Sequence, residues 1–67
     1  MNIQEIIETK RDKHKLSKQQ IEYFVKNYTS GDITDYQASA LIMAIYINGM
    51  DEEETTNLTL AMANSGD

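Results

Sequence analysis

Residues 34–49 read TDYQASALIMAIYING and form the most apolar segment of the chain. Thr34 followed three residues later by Gln37 is a capping-box pattern, which marks the start of a helix. Gly49 stands where a helix commonly ends in a left-handed residue. Residues 38–47 are apolar apart from one serine. A helix formed here has no polar, solvent-facing side and must therefore be surrounded by other elements. The segment predicts a central helix over residues 35–48.

Signals of the same kind divide the rest of the chain. Each remaining helix is predicted to begin after an Asn, Ser or Asp cap and to end before a polar turn or a glycine. We predict an all-α fold, a four-helix N-terminal bundle occupying residues 1–67, with helices over residues 3–12, 18–28, 35–48 and 52–64. The caps are Asn2, Ser17 with Gln20, Thr34 with Gln37 and Asp51 with Glu54, and the stops are Gly31, Gly49 and Gly66.

Apolar residues recur at helical spacing in the other three helices and predict their inward faces. We expect the methionines to fill gaps in the core and the tyrosines to lie in the core with their hydroxyls at its rim. The acidic turn at residues 51–54 is interpreted as solvated. The predicted inward residues are Ile3, Ile6, Ile7 and the stem of Lys10, then Ile21, Phe24, Val25 and Tyr28, then Leu58, Leu60, Ala61 and Met62; the methionines are Met43, Met50 and Met62, and the tyrosines are Tyr23, Tyr28, Tyr36 and Tyr46.

Composition excludes several classes of function. The 67 residues include 6 basic and 11 acidic side chains, no cysteine and one histidine, for a net charge of −5. Disulfides, thiolate metal sites and histidine-rich metal clusters are therefore excluded. Nucleic-acid binding is not expected, because phosphate binders normally present a basic face. No segment approaches the about 20 apolar residues of a membrane span, and the N-terminus lacks the features of a targeting segment, so we predict a cytoplasmic protein.

The central helix needs more cover than three short helices can give. Either the protein oligomerises through its third or first helix, or the natural polypeptide continues beyond residue 67. In both cases we expect the isolated chain to self-associate through exposed apolar surface.

Catalytic machinery is not visible in the chain. His14 lies between two lysines and is interpreted as an exposed loop residue, because a general base needs an orienting carboxylate and a pocket. The carboxylates at residues 51–54 point in four directions along a helix, so one cation cannot collect them. The segment at residues 64–67 lacks the glycine pattern of a phosphate loop. We predict no catalytic, cofactor-binding or metal-binding residue.

The sequence nevertheless resembles a specific family. The segments IIETKRD (6–12), LSKQQIEYF (16–24), GDITDYQASAL (31–41), MAIY (43–46) and LTLAMANSGD (58–67) are similar to the opening of pyrimidine-nucleoside and thymidine phosphorylases, and the resemblance spans the whole chain. Two positions depart from the family pattern. Lys13 stands where the family usually has glycine, and Thr34 stands where it often has proline.

The resemblance implies an enzyme that cleaves uridine, thymidine or deoxyuridine with inorganic phosphate, yielding the free pyrimidine and a pentose 1-phosphate. It implies a small helical domain beside a larger α/β domain that would hold the phosphate, with phosphate as co-substrate and no other cofactor. The family's Lys-His-Ser-Thr-Gly-Gly phosphate loop has no counterpart in residues 1–67. We therefore expect this chain alone to be inactive, with the catalytic α/β domain absent from it.

The resemblance also implies a homodimer through helices 1 and 3. The interface candidates carried over are Ile3, Ile7, Lys10, Ala40 and Ile47, and the alternative is that they form core within one chain. Two other identities remain open. One is the helical N-terminal domain of anthranilate phosphoribosyltransferase, and the other is a free-standing helical interaction module.

Overall fold

The computed structural model describes residues 1–65, which contain four α-helices and no β-strand. The predicted all-α four-helix bundle is confirmed, and every helix end lies within one residue of its prediction. The first helix ends one residue earlier than expected, and the second and fourth helices each end one residue later. The stop predicted at Gly66 lies outside the described residues. The helices are α1 (Ile3–Arg11), α2 (Lys18–Thr29), α3 (Asp35–Asn48) and α4 (Glu52–Ser65).

All four predicted N-terminal caps are formed. The Asn2 side chain accepts a hydrogen bond from the N–H of Glu5 at 2.9 Å, which satisfies one of the free donors at the start of α1. The other three helices begin with reciprocal capping boxes, in which the cap side chain and the side chain three residues later each accept a backbone N–H. The pairs are Ser17 with Gln20, Thr34 with Gln37 and Asp51 with Glu54.

The C-termini of α1 and α2 close with the same hydrogen-bond pattern but with different residues at the left-handed position. In α2, Gly31 adopts φ +88°, and the N–H groups of residues 31 and 32 bond back to the carbonyls of Tyr28 and Asn27. In α1 the equivalent position is Lys13, which adopts φ +68°. This pattern is the Schellman motif, in which glycine is preferred because it has no Cβ to clash. Lys13 therefore holds a strained backbone conformation.

The core is built from both helix faces and loop residues. Leu16 and Ile33 lie just before the caps of α2 and α3 and are buried with Ile21 and Ala38, four residues after each cap. This arrangement is the hydrophobic staple, which fixes the angle at which the chain enters a helix. The complete buried apolar cluster is Ile3, Ile6, Leu16, Ile21, Val25, Ile33, Ala38, Leu41 and Ala61.

The helices pack most closely as two pairs, α1 along α3 and α2 along α4. Only one side of α3 is covered, through Ala38, Leu41 and Ala44. The incomplete cover predicted for this helix is therefore confirmed within the described part of the chain.

Several residues predicted to face inward are instead on the surface. The tyrosine prediction is wrong for Tyr36 and Tyr46, both 85% exposed, because each lies on the uncovered side of α3. The methionine prediction is wrong for Met43 on the same side, whereas Met50 packs against the core. In α4 the prediction is wrong for Leu60 and Met62, which flank the buried Ala61; Tyr28 is also exposed and stacks on Phe24.

Candidate functional site

The uncovered side of α3 is an apolar surface that the fold leaves open. It carries two adjacent apolar rows, because the exposed large residues repeat at helical spacing. One row contains Tyr36, Ala40, Met43 and Ile47, whose separations of four, three and four residues match the seam of a coiled coil. The second row contains Ile42 and Tyr46. We call these six residues the outer face of α3.

The five residues carried over as interface candidates occupy different environments. Ile47 is 70% exposed and Ala40 is half-buried, and both lie on the outer face. Ile7 is half-buried and packs against the core. Ile3 and Lys10 are already buried inside the chain. Three of the five therefore retain surface that a partner could cover.

A polar network lies at the end of the bundle where α1 finishes and α4 begins. Lys10 Nζ donates to Glu54 Oε2 at 2.8 Å, and both side chains are almost fully buried. The backbone N–H of Leu16 donates to the same oxygen at 2.9 Å. The side-chain amide of Asn48 donates to the carbonyl of Lys10 at 2.9 Å. This network, which we call the Lys10–Glu54 network, joins the C-terminal ends of α1 and α3 to the starts of α2 and α4.

The network favours the ionised form of Glu54. Burial on its own raises the pKa of this carboxyl, but the hydrogen bonds from Lys10 and from the N–H groups of Leu16 and Asp51 outweigh it and hold the pKa below the ordinary 4.5. The pKa of Asp51 is also lowered, chiefly by the hydrogen bond that it accepts from the N–H of Glu54. Both carboxylates are therefore charged at neutral pH.

The basic α1–α2 loop is partly neutralised by the acidic turn of α4. Lys15 Nζ lies 3.2 Å from Asp51 Oδ2 and also donates to Glu53. Its pKa is raised, first by the hydrogen bond to Glu53 and then by that to Asp51. His14 is exposed, as predicted, and borders an open cavity of about 380 Å³ beside the network. The ion pairs of Lys15 with Asp51 and Glu53 are exposed to solvent, and exposed ion pairs contribute little stability.

A second open cavity, of about 390 Å³, lies between α2 and the end of α4. Its apolar floor is formed by Val25 and Ala61, and its walls carry Glu22 and Lys26 on α2 and Asn64 on α4. Nothing in this lining forms a nucleophile–base pair.

Neither a metal site nor a membrane span emerges from the described residues. Residues 1–65 hold no cluster of three or more His, Asp or Glu side chains placed to bind a metal ion. No helix in that range is long and apolar enough to cross a bilayer.

Comparison with known proteins identifies the fold that carries these features. Residues 4–66 match the family model described as the helical bundle domain of the glycosyl transferase family. The chain belongs to this family. The match covers all four helices except Ile3, together with the outer face of α3 and the Lys10–Glu54 network.

Relatives named pyrimidine-nucleoside phosphorylase align over all 67 residues. The protein from Staphylococcus haemolyticus is 58% identical, that from Geobacillus stearothermophilus 55%, and that from Staphylococcus aureus 52%. The chain spans only 16% of the length of each of these proteins. It therefore aligns with a small part of each of these relatives.

Glu54 is the residue of the Lys10–Glu54 network that sequence reasoning interprets wrongly. It was expected in a solvated turn, whereas its side chain is among the most buried in the described chain. The available signal was its place in the capping box three residues after Asp51, together with Lys10 on the apolar stripe of α1. A buried lysine requires a partner, and Glu54 lies opposite it.

Proposed function

We propose that this chain is the helical domain of a pyrimidine-nucleoside phosphorylase. The observation that carries the proposal is identity of 52–58% over all 67 residues with proteins of that name. The parent enzyme would cleave uridine, thymidine or deoxyuridine with inorganic phosphate to the free base and a pentose 1-phosphate, within pyrimidine salvage. Phosphate is its co-substrate, and no other cofactor takes part.

The role of the chain in that reaction is to position the substrate and the subunits. Catalysis of this kind depends on holding an anionic nucleophile against a sugar carbon that develops positive charge, so placement of the two substrates supplies much of the rate. The helical domain forms the pyrimidine side of the cleft, and an α/β domain of the parent enzyme holds the phosphate. The names of the relatives favour this role over an anthranilate phosphoribosyltransferase domain or a free-standing interaction module.

The outer face of α3 supports a homodimer through α1 and α3. Ile47 and Ala40 lie in the row with coiled-coil spacing, which suits packing against a second helix. Ile7 on α1 retains partial exposure, and α1 packs along α3. An exposed apolar row of this kind is typical of a protein–protein contact. In this proposal the dimer is cytoplasmic.

A domain-exchange experiment tests the proposed function. The 67 residues would replace the matching segment of the Geobacillus stearothermophilus phosphorylase, and phosphorolysis of uridine would be followed by the release of uracil. We expect the chimera to be active, because more than half of the positions are identical and the core and caps described above are intact.

Two controls make the result interpretable. The same phosphorylase without the matching segment should be inactive, and the chimera's helical content and subunit assembly should match those of the parent. A chimera that folds and assembles but does not cleave uridine would contradict the proposed function.

A further inference from the structure

The third capping box has a glutamate three residues after the cap, where the first two have a glutamine. In the first two, Gln20 and Gln37 each use their single carbonyl oxygen to accept the N–H of the cap residue. In the third, Glu54 uses Oε1 for the same purpose, which leaves Oε2 available to other donors. Oε2 accepts hydrogen bonds from Lys10 Nζ and from the N–H of Leu16, both distant in sequence. The third box therefore joins its helix to other elements.

The apolar pattern of α4 does not by itself select which side of the helix faces the core. Leu60, Ala61 and Met62 are consecutive, and a helix turns by about 100° per residue. The smallest of the three, Ala61, is buried, while the two larger residues are more than half exposed. Rotating α4 by one residue in either direction would bury a larger side chain. Leu58 packs against the core and lies between Ala61 and Met62 around the helix axis. The hydrophobic effect alone would therefore favour the rotation toward Met62, which keeps Leu58 inward, whereas the rotation toward Leu60 would expose Leu58.

The Lys10–Glu54 pair opposes these rotations. If α4 turned by one residue, Glu54 would leave Lys10, and the ammonium group and the N–H of Leu16 would remain buried without an acceptor. An unpaired buried charge is strongly unfavourable. Buried ion pairs are often no more stabilising than apolar residues of the same size, and selecting one packing arrangement is a use documented for such groups in some proteins.

We propose that Lys10 and Glu54 are positioning residues that set the rotation of α4 about its axis. The pair holds the setting in which Ala61 faces α2 and in which Leu60 and Met62 remain on the surface. The same setting keeps open the cavity floored by Val25 and Ala61. This inference does not depend on the proposed phosphorylase activity.

Cysteine accessibility along α4 measures the rotation directly, because the chain has no native cysteine. Leu60→Cys, Ala61→Cys and Met62→Cys would be made one at a time, and each thiol's rate of reaction with a disulfide reagent would be recorded. In the otherwise unchanged chain the thiol at position 61 should react much more slowly than its two neighbours.

Glu54→Gln and Lys10→Met then remove the pair in two ways. The glutamine keeps Oε1 for the capping box but places an amide group against Lys10, and the methionine keeps both backbone hydrogen bonds to Glu54. We expect either change to abolish the slow reaction at position 61 while the helical circular dichroism persists. The control Glu53→Gln alters an exposed neighbour and should leave the pattern unchanged.

Two results would overturn the proposal. The first is an unchanged reactivity pattern in both variants, which would mean that packing alone sets the rotation. The second is loss of helical structure throughout both variants, because the pair would then support the whole fold rather than the placement of α4.

Discussion

Replacing Lys13 with glycine should stabilise the chain. Lys13 occupies the left-handed position that closes α1, with φ +68°. Its N–H bonds to the carbonyl of Lys10 and that of His14 to the carbonyl of Thr9, so the backbone hydrogen bonds fix this conformation. The side chain is exposed, and the substitution Lys13→Gly therefore removes strain without opening a cavity.

The size of the effect follows from two opposing terms. A residue with a Cβ loses about 1–2 kcal/mol in the left-handed region, and glycine loses about 0.5–1 kcal/mol more conformational freedom on folding. The net gain is about 0.5–1 kcal/mol. The entropy of unfolding scales with length, so for a chain of 67 residues this gain raises Tm by about 4–7 °C.

Thermal unfolding followed by circular dichroism measures this shift, and the chain contains its own matched control. Gly31 closes α2 at the equivalent position, with φ +88° and open space where a Cβ would lie. Gly31→Lys should therefore lower Tm by a similar amount, because the same two terms act in the opposite direction. If Lys13→Gly lowers Tm, or if Gly31→Lys leaves it unchanged, the strain argument is refuted.

Three further predictions concern other parts of the molecule. Glu54→Gln should reduce stability in urea by about 3 kcal/mol at neutral pH. The pKa of Glu54 in the folded chain is below its ordinary value of 4.5, so its ionised form stabilises the fold above that pH, and this stability is lost as the pH falls through the folded pKa. Glu54→Gln has no such carboxyl and should therefore lose less stability on acidification than the unchanged chain. Equal losses in the two proteins would contradict this. Gly49→Ala should lower the free energy of unfolding by about 1–3 kcal/mol, because Gly49 combines φ +78° with ψ 175°, a backbone region that is essentially restricted to glycine; an unchanged urea midpoint would refute it. The chain alone should not cleave uridine with phosphate, and turnover that follows the pure chain through purification would contradict this.

The helix boundaries could be predicted because their signals are local. Capping boxes and left-handed stops depend on hydrogen bonds between residues three to five apart. The start and the end of α3 could therefore be predicted from Thr34, Gln37 and Gly49 without knowledge of the tertiary fold. The strained backbone at Lys13 could also be predicted, because the family that the sequence resembles usually has glycine at this position.

The buried loop residues could have been predicted but were not. Leu16 and Ile33 precede the caps of α2 and α3, and an apolar residue at that position commonly packs against the residue four places after the cap. Counting only the helical stripes misses both, because neither residue belongs to a helix.

The surface of α3 and the rotation of α4 could not be derived from periodicity. Tyr36 and Tyr46 are apolar enough for a core, and only the placement of α1 against the opposite side of α3 leaves them exposed. In α4, the choice of Ala61 over its larger neighbours depends on contacts with Lys10 and Leu16, 38 or more residues away from Glu54. Tertiary contacts determine which side of α3 and of α4 is buried, and these contacts cannot be read from the sequence of one helix.

Sedimentation velocity of the purified chain tests the central claim most directly, namely that the outer face of α3 is a surface for another protein subunit. We expect a concentration-dependent dimer, and we expect Ile47→Lys to convert it to a monomer with unchanged helical content. Leu60→Lys changes a residue of comparable exposure on α4 and should leave the dimer intact. A monomer at every concentration, or a dimer that persists in Ile47→Lys and is lost in Leu60→Lys, would contradict the account.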